Sequence, residues 1–203
     1  MMLRRPCPPL LLAMALASAL PAARAAASEA TAASAAAAAA PLFEFAGKPF
    51  VHRWSHAGQH DFTPPAQTDS SKWEDMMTVQ VYDKVHTPDE LAFVADSVLV
   101  AYQRSGRIIR KSTSQATPER PTEHIVVAVL QDKGIREMAF ARFRLTPEGG
   151  QAIVYSHRVY GIEPDDAAGA WFRANDGTVE KAMMTWTDIP SVATLQALPQ
   201  SPP

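Results

Sequence analysis

Residues 135–161 constrain the chain most. They read IREMAFARFRL, TPEGG and QAIVYSHRVYG, two long runs that alternate at period two around a Pro-Glu-Gly-Gly turn. Strand side chains alternate between faces and tight turns favour glycine, so the pattern predicts a β-hairpin. In the first run Ile135, Glu137, Ala139, Ala141 and Phe143 share one face, and Arg136, Met138, Phe140, Arg142 and Arg144 share the other. In the second, Ile153, Tyr155, His157 and Val159 oppose Val154, Ser156, Arg158 and Tyr160. Each face mixes apolar and polar groups, which places the hairpin inside a larger sheet with one side covered by helices.

The N-terminus reads as a secretory signal. Arg4 and Arg5 supply a positive start, residues 10–20 form an apolar run too short to span a bilayer, and Ala23-Arg24-Ala25 is a small-x-small cleavage site. Cleavage is expected after Ala25, with Ala27 as the alternative. Cys7, the only cysteine, precedes the apolar run, where a lipid-bearing cysteine would end it. Losing residues 1–25 removes three of the 19 basic residues and leaves 16 against 21 acidic ones, net −5. Such a chain has no electrostatic footprint for nucleic acid. Without cysteine it has no disulfide and no thiolate chemistry. No later stretch is apolar for long enough to cross a membrane as a helix. The expected address is the periplasm or the exterior.

Residues 26–41 are mostly alanine and are expected to be a spacer, with one domain over 42–187 and a loose Pro-rich tail over 188–203. Residues 50–63 read as two short strands around Ala57-Gly58, pairing His56 with Gln59 and Ser55 with His60. Residues 77–82 alternate as a strand. Thr87-Pro88-Asp89-Glu90 is a helix start with a capping box, and Leu91, Val94, Ala95, Val98, Leu99 and Tyr102 follow it on one stripe. Gly106 is expected to end that helix in a left-handed conformation. Strands are expected over 107–114 and 124–130, ahead of the hairpin. A second helix opens at Glu163-Pro164-Asp165-Asp166 and carries Trp171, Phe172, Asn175, Val179, Met183 and Trp186 on one face, with a break or kink expected at Asn175-Asp176-Gly177. The fold class is α+β: a single antiparallel sheet packed with two helices.

This order of elements resembles the Mog1/PsbP-like α/β/α sandwich, including the periplasmic DcrB-like proteins. The resemblance rests on the capped helix over 87–105, the strands and hairpin over 107–160, and the closing helix to Trp186. It implies a binding or assembly role and carries over no functional residue, because fold does not fix function. The segments 54–60 and 155–161 are also similar to those of uncharacterised exported bacterial proteins, a likeness that implies no activity.

Four side-chain groupings could carry chemistry. His52, His56 and His60 recur every four residues beside Asp61, and on a helix His56 and His60 could hold zinc. In the expected hairpin they build no clear ligand set. Ser156 and His157, with Asp165 or Asp166 downstream, hold the residue types of a hydrolase. Adjacent strand residues point to opposite faces, however, and no Gly-x-Ser-x-Gly elbow occurs. Arg136, Arg142 and Arg144 share a face around Phe140 and suit an anion through their fixed fork of donors. The bland alternative pairs the hairpin's arginines with carboxylates such as Glu137 or Glu180. Trp171 and Trp186 belong to the helix's apolar stripe.

The leading expectation is an exported, non-catalytic binding or envelope-assembly module without a cofactor. Its binding residues would be Arg136, Phe140, Arg142, Arg144 and His157, and its partner an acidic envelope protein or an anionic small ligand. The alternative is a metal-dependent or hydrolytic enzyme using the histidines at 52, 56 and 60.

Overall fold

The computed structural model describes residues 40–118 and 121–202. The segment expected to direct export and nearly all of the alanine-rich spacer lie outside the described residues. Eight antiparallel strands form one sheet in the order β1-β2-β3-β4-β8-β7-β6-β5. They are β1 (Phe43–Phe45), β2 (Lys48–His56), β3 (Gln59–Thr63), β4 (Asp75–Tyr82), β5 (Gly106–Ser114), β6 (Glu123–Asp132), β7 (Ile135–Thr146) and β8 (Gly149–Tyr160). The expected hairpin is β7–β8, paired from Ile135↔Tyr160 to Thr146↔Gly149 in the interior of the sheet. The β2–β3 hairpin has the expected register, Ser55↔His60 and His56↔Gln59. Its turn residues Ala57 and Gly58 both have positive φ, 50° and 79°, the geometry that matches strand twist in a two-residue loop.

Helix α1 (Pro88–Ser105) joins β4 to β5, and α2 (Asp165–Thr185) follows β8. The capping box at Thr87 is formed, with Glu90 N donating to Thr87 Oγ1 at 3.3 Å and Thr87 N donating to Glu90 Oε2 at 3.0 Å. The two helices cover opposite faces. Leu91 and Ala95 of α1 pack on Val126, Ala141, Phe143 and Ala152. Val179 and Met183 of α2 pack on Ile125, Val127, Phe140, Ile153 and Tyr155, which alternate with the first set along the same strands. The result is an α/β/α sandwich whose sheet is buried on both sides.

Three local expectations need correction. Gly106 is extended (φ 176°), not left-handed, and begins β5 directly. It is required for space: a Cβ there would lie 2.1 Å from Val129 O on β6. Asn175-Asp176-Gly177 does not break α2, which runs unbroken from Asp165 to Thr185 because the packing of Val179 and Met183 outweighs the weak propensity of those residues. The tail is not loose. It forms a third helix, α3 (Val192–Gln196), whose Val192 and Leu195 are buried, and Ser201 N donates to Ser55 O at 2.7 Å. Ile189 and Leu195 complete the apolar cluster under α2, so the segment has a reason to pack that its proline content hides. Among the described residues, no helix is long and apolar enough to cross a membrane.

Gly177 lies exposed inside α2, and a Cβ there would meet nothing within 4 Å. Gly177→Ala should therefore raise the unfolding free energy by about 0.5–1 kcal/mol through helix propensity alone. Urea denaturation of the two proteins measures this.

Candidate functional site

The structure places Arg136, Phe140, Arg142 and Arg144 on one face of β7, as alternation requires, but α2 covers much of that face. Phe140 is fully buried and stacks on Phe172 of α2 at 6.1 Å and 18°. Arg142 is buried as well. Its Nε and Nη2 donate to the two carboxylate oxygens of Glu123 at 3.0 and 2.8 Å, and its Nη1 donates to Met183 O at 2.6 Å and Trp186 O at 3.0 Å. Those carbonyls belong to the end of α2, where the last turn of a helix leaves acceptors unpaired. No basic residue lies in α2's own last turn, so Arg142 supplies the positive charge from the sheet. Arg144 Nε donates to Gln151 Oε1 at 2.9 Å, and burial holds its guanidinium below its ordinary pKa. The face is an internal clamp where the alternation alone suggests an open basic platform.

Arg136 sits at the other end of α2. Its Nε and Nη2 donate to Asp165 at 2.7 and 3.0 Å. On the opposite sheet face Arg158 donates to Glu137 at 2.8 Å and lies 3.9 Å over the Trp73 ring. Glu180 is taken by Arg110 of β5, outside the hairpin.

His157 is stacked flat on Trp171, 4.1 Å between centroids and 5° between planes, with its Nδ1 2.9 Å from Asp75 Oδ1. Asp75 also accepts from Lys48 Nζ and Tyr155 Oη, each at 2.6 Å. Burial alone would raise Asp75's pKa. The hydrogen bonds from His157, Lys48 and Tyr155 outweigh it and hold the carboxyl far below its usual range. Neither Asp165 nor Asp166 is His157's partner. Ser156 Oγ donates to Glu137 at 2.7 Å on the other face, so no Ser-His pair forms there.

The histidines of β2 and β3 split two ways. His52 Nε2 and His60 Nδ1 both lie 2.7 Å from Ser55 Oγ. One hydroxyl donates once, so it gives its hydrogen to one imidazole and accepts from the other. Burial lowers the pKa of both rings, against the opposing charge of Asp61. Ser55 is fully buried and His60 only 2% exposed, so the hydroxyl has no open approach for a substrate carbonyl. His56 stands apart, tilted against Trp54. The three histidines share no ligand position, and among the described residues no group of three His, Cys, Asp or Glu could hold a metal ion.

The cavity best placed to receive a ligand lies between the N-terminal half of α2 and strands β5, β6 and β7, with a volume of about 500 Å³. That is within the span of small-molecule sites, roughly 300–1,000 Å³. Its walls include Ile109, Val129 and Phe172, and its polar groups are Arg107, Gln131, Arg136, Asp165 and Arg173. Ala168 and Gly169 leave the space open, since larger side chains at those helix positions would fill it. Of the residues expected to bind, only Arg136 lines this groove. Arg107 and Arg173 escape sequence reasoning because one stands alone on a strand and the other on a helix face. Only the packing of α2 against the sheet edge brings them together.

Two consequences can be measured. Removing one partner of the buried Arg142–Glu123 pair, as in Arg142→Gln, leaves a buried charge and two helix-end carbonyls unsatisfied, and should lower stability by about 3–5 kcal/mol. Replacing both, Glu123→Met with Arg142→Met, should cost less than the sum of the single changes in urea unfolding. Stability should also fall with acid in two stages. His52 and His60 resist protonation when folded, so their contribution is complete above about pH 6.5 and erodes as pH falls below it. Asp75's contribution is complete above about pH 3.9 and is lost further into acid. In Asp75→Asn the lower stage should shrink to what Asp69, Glu90 and Asp96, also held low by hydrogen bonds, contribute, and the upper remain.

No family model matches the chain, and no curated protein matches it. Among solved structures it is similar to the Saccharomyces cerevisiae Ran-binding protein Mog1p, at 14% identity and a TM-score of 0.41 over 67% of this chain and 82% of that one. A Mog1 variant with a single substitution matches at 14% identity and a TM-score of 0.39, over 66% of this chain and 81% of that one. The likeness to Mog1 is weak and confined to topology.

Proposed function

We propose that the chain is an exported, non-catalytic binding module that takes a small ligand in the groove between α2 and strands β5–β7. The observation that carries this reading is the groove itself. It is concave, of ligand size, lined by apolar side chains that the core leaves partly uncovered, and edged by a few convergent polar groups. The candidate groups elsewhere are internally satisfied: Arg142 closes a helix end, His157 is stacked and paired, and Ser55 is enclosed by two imidazoles. A concave site of this size suits a small molecule better than an acidic protein surface, which needs about 800 Å² from each partner. The export half of the proposal rests on the charged start, apolar run and Ala-x-Ala order of residues 4–25.

Native mass spectrometry of the protein extracted from the cell envelope tests both halves. The expected species has lost its first 25 residues and carries a small non-covalent adduct. Gly169→Leu fills the groove from α2 and favours the helix by nearly 1 kcal/mol, so it should fold normally and lose the adduct. A full-length species as the sole product refutes export. An adduct retained at the same occupancy in Gly169→Leu refutes the groove.

A further inference from the structure

The lining of the groove also specifies the ligand's chemistry. Arg107 and Ile109 alternate onto the α2 side of β5, Val129 faces them from β6, and Phe172 and Arg173 face them from α2. Arg136, the third guanidinium, is already neutralised by Asp165 and directs Nη1 to the carbonyls of Ile135 and Asp132. Arg107 and Arg173 have no hydrogen-bond or ion-pair partner among the described residues. In a chain with more acidic than basic residues, two unpaired guanidinium groups at the mouth of one apolar-walled cavity form a local excess of positive charge. Guanidinium binds carboxylate or phosphate through two parallel hydrogen bonds, and the bond strengthens where apolar walls exclude water. The walls offer such a headgroup an apolar resting place for the rest of the molecule.

We propose that the groove binds a small amphipathic acid. Its carboxylate or phosphate lies between Arg107 and Arg173, and its apolar body lies along Ile109, Val129 and Phe172. The inference rests on the groove being the ligand site, and the experiment separates the two ideas. Calorimetric titration of the chain without residues 1–25 would use decanoate, decyl phosphate, decanol and decylammonium below their micelle concentrations. The two acids should bind, decanol should bind about tenfold or more weakly, and decylammonium should not bind. The tighter of the two acids identifies the headgroup. The exposed pair Arg107→Gln with Arg173→Gln should melt like the parent and lower acid affinity to that of decanol, leaving decanol unchanged. Added salt should weaken the acids only. Decanol binding as tightly as decanoate, with the double variant indifferent, overturns the acid while the groove stands, provided Gly169→Leu abolishes binding. No binding by any probe overturns both.

Discussion

Arg142 is the side chain on which the arrangement depends. It stands on an inner strand, fully engaged by a buried carboxylate on one side and by two helix-end carbonyls on the other. A helix with no basic residue in its last turn must find compensation for its carbonyls elsewhere, and here the sheet supplies it. The same strand holds the start of that helix through Arg136 and Asp165. Six residues of strand separate the two arginines by about 20 Å, while the groups they hold lie about 27 Å apart along the helix. One strand thereby fixes the helix at both ends.

That double attachment determines where empty volume can persist. The C-terminal half of α2 sends Val179 and Met183 into the core and closes against the sheet. The N-terminal half presents Ala168 and Gly169, too small to reach β5 and β6, and its first residue, Asp165, is paired with Arg136 of β7. A cavity between two fixed surfaces is preformed, so a ligand entering it pays little ordering entropy. On the face covered by α1, the space beside Asp96, Lys111 and His124 is smaller, about 190 Å³.

Much of the architecture is legible in the sequence because it is written in local patterns. The period-two runs around the Pro147-Glu148 turn, with Gly149 and Gly150 already paired in β8, the Thr87–Glu90 capping box and the Ala57-Gly58 turn each act over a few residues, and the register of each hairpin follows from its turn. What escapes is set by long-range packing. Alternation groups Arg136, Arg142 and Arg144 on one face but does not say that a helix from later in the chain will lie over it. Gly106 reads as a helix cap and is in fact a close approach to β6, because the residue that forbids a side chain lies 23 positions away. Proline in the tail signals looseness, yet Ile189, Val192 and Leu195 have an apolar cluster to complete. The His52–Ser55–His60 chain is half legible: strand pairing brings Ser55 to His60, and the irregular register between His52 and Trp54 accompanies the return of His52 to the same hydroxyl.

The central claim is that the space beneath the first half of α2 is the ligand site. Amide chemical-shift mapping of the uniformly labelled protein during titration with decanoate tests it most directly. Shifts concentrated at residues 106–109, 129–131 and 168–173, with the resonances around Ser55, His60 and Ser201 unmoved, are the expected result. Shifts centred on the second cavity near Gly58, His60 and Gln196, or saturating shifts that leave 168–173 unmoved, would contradict it.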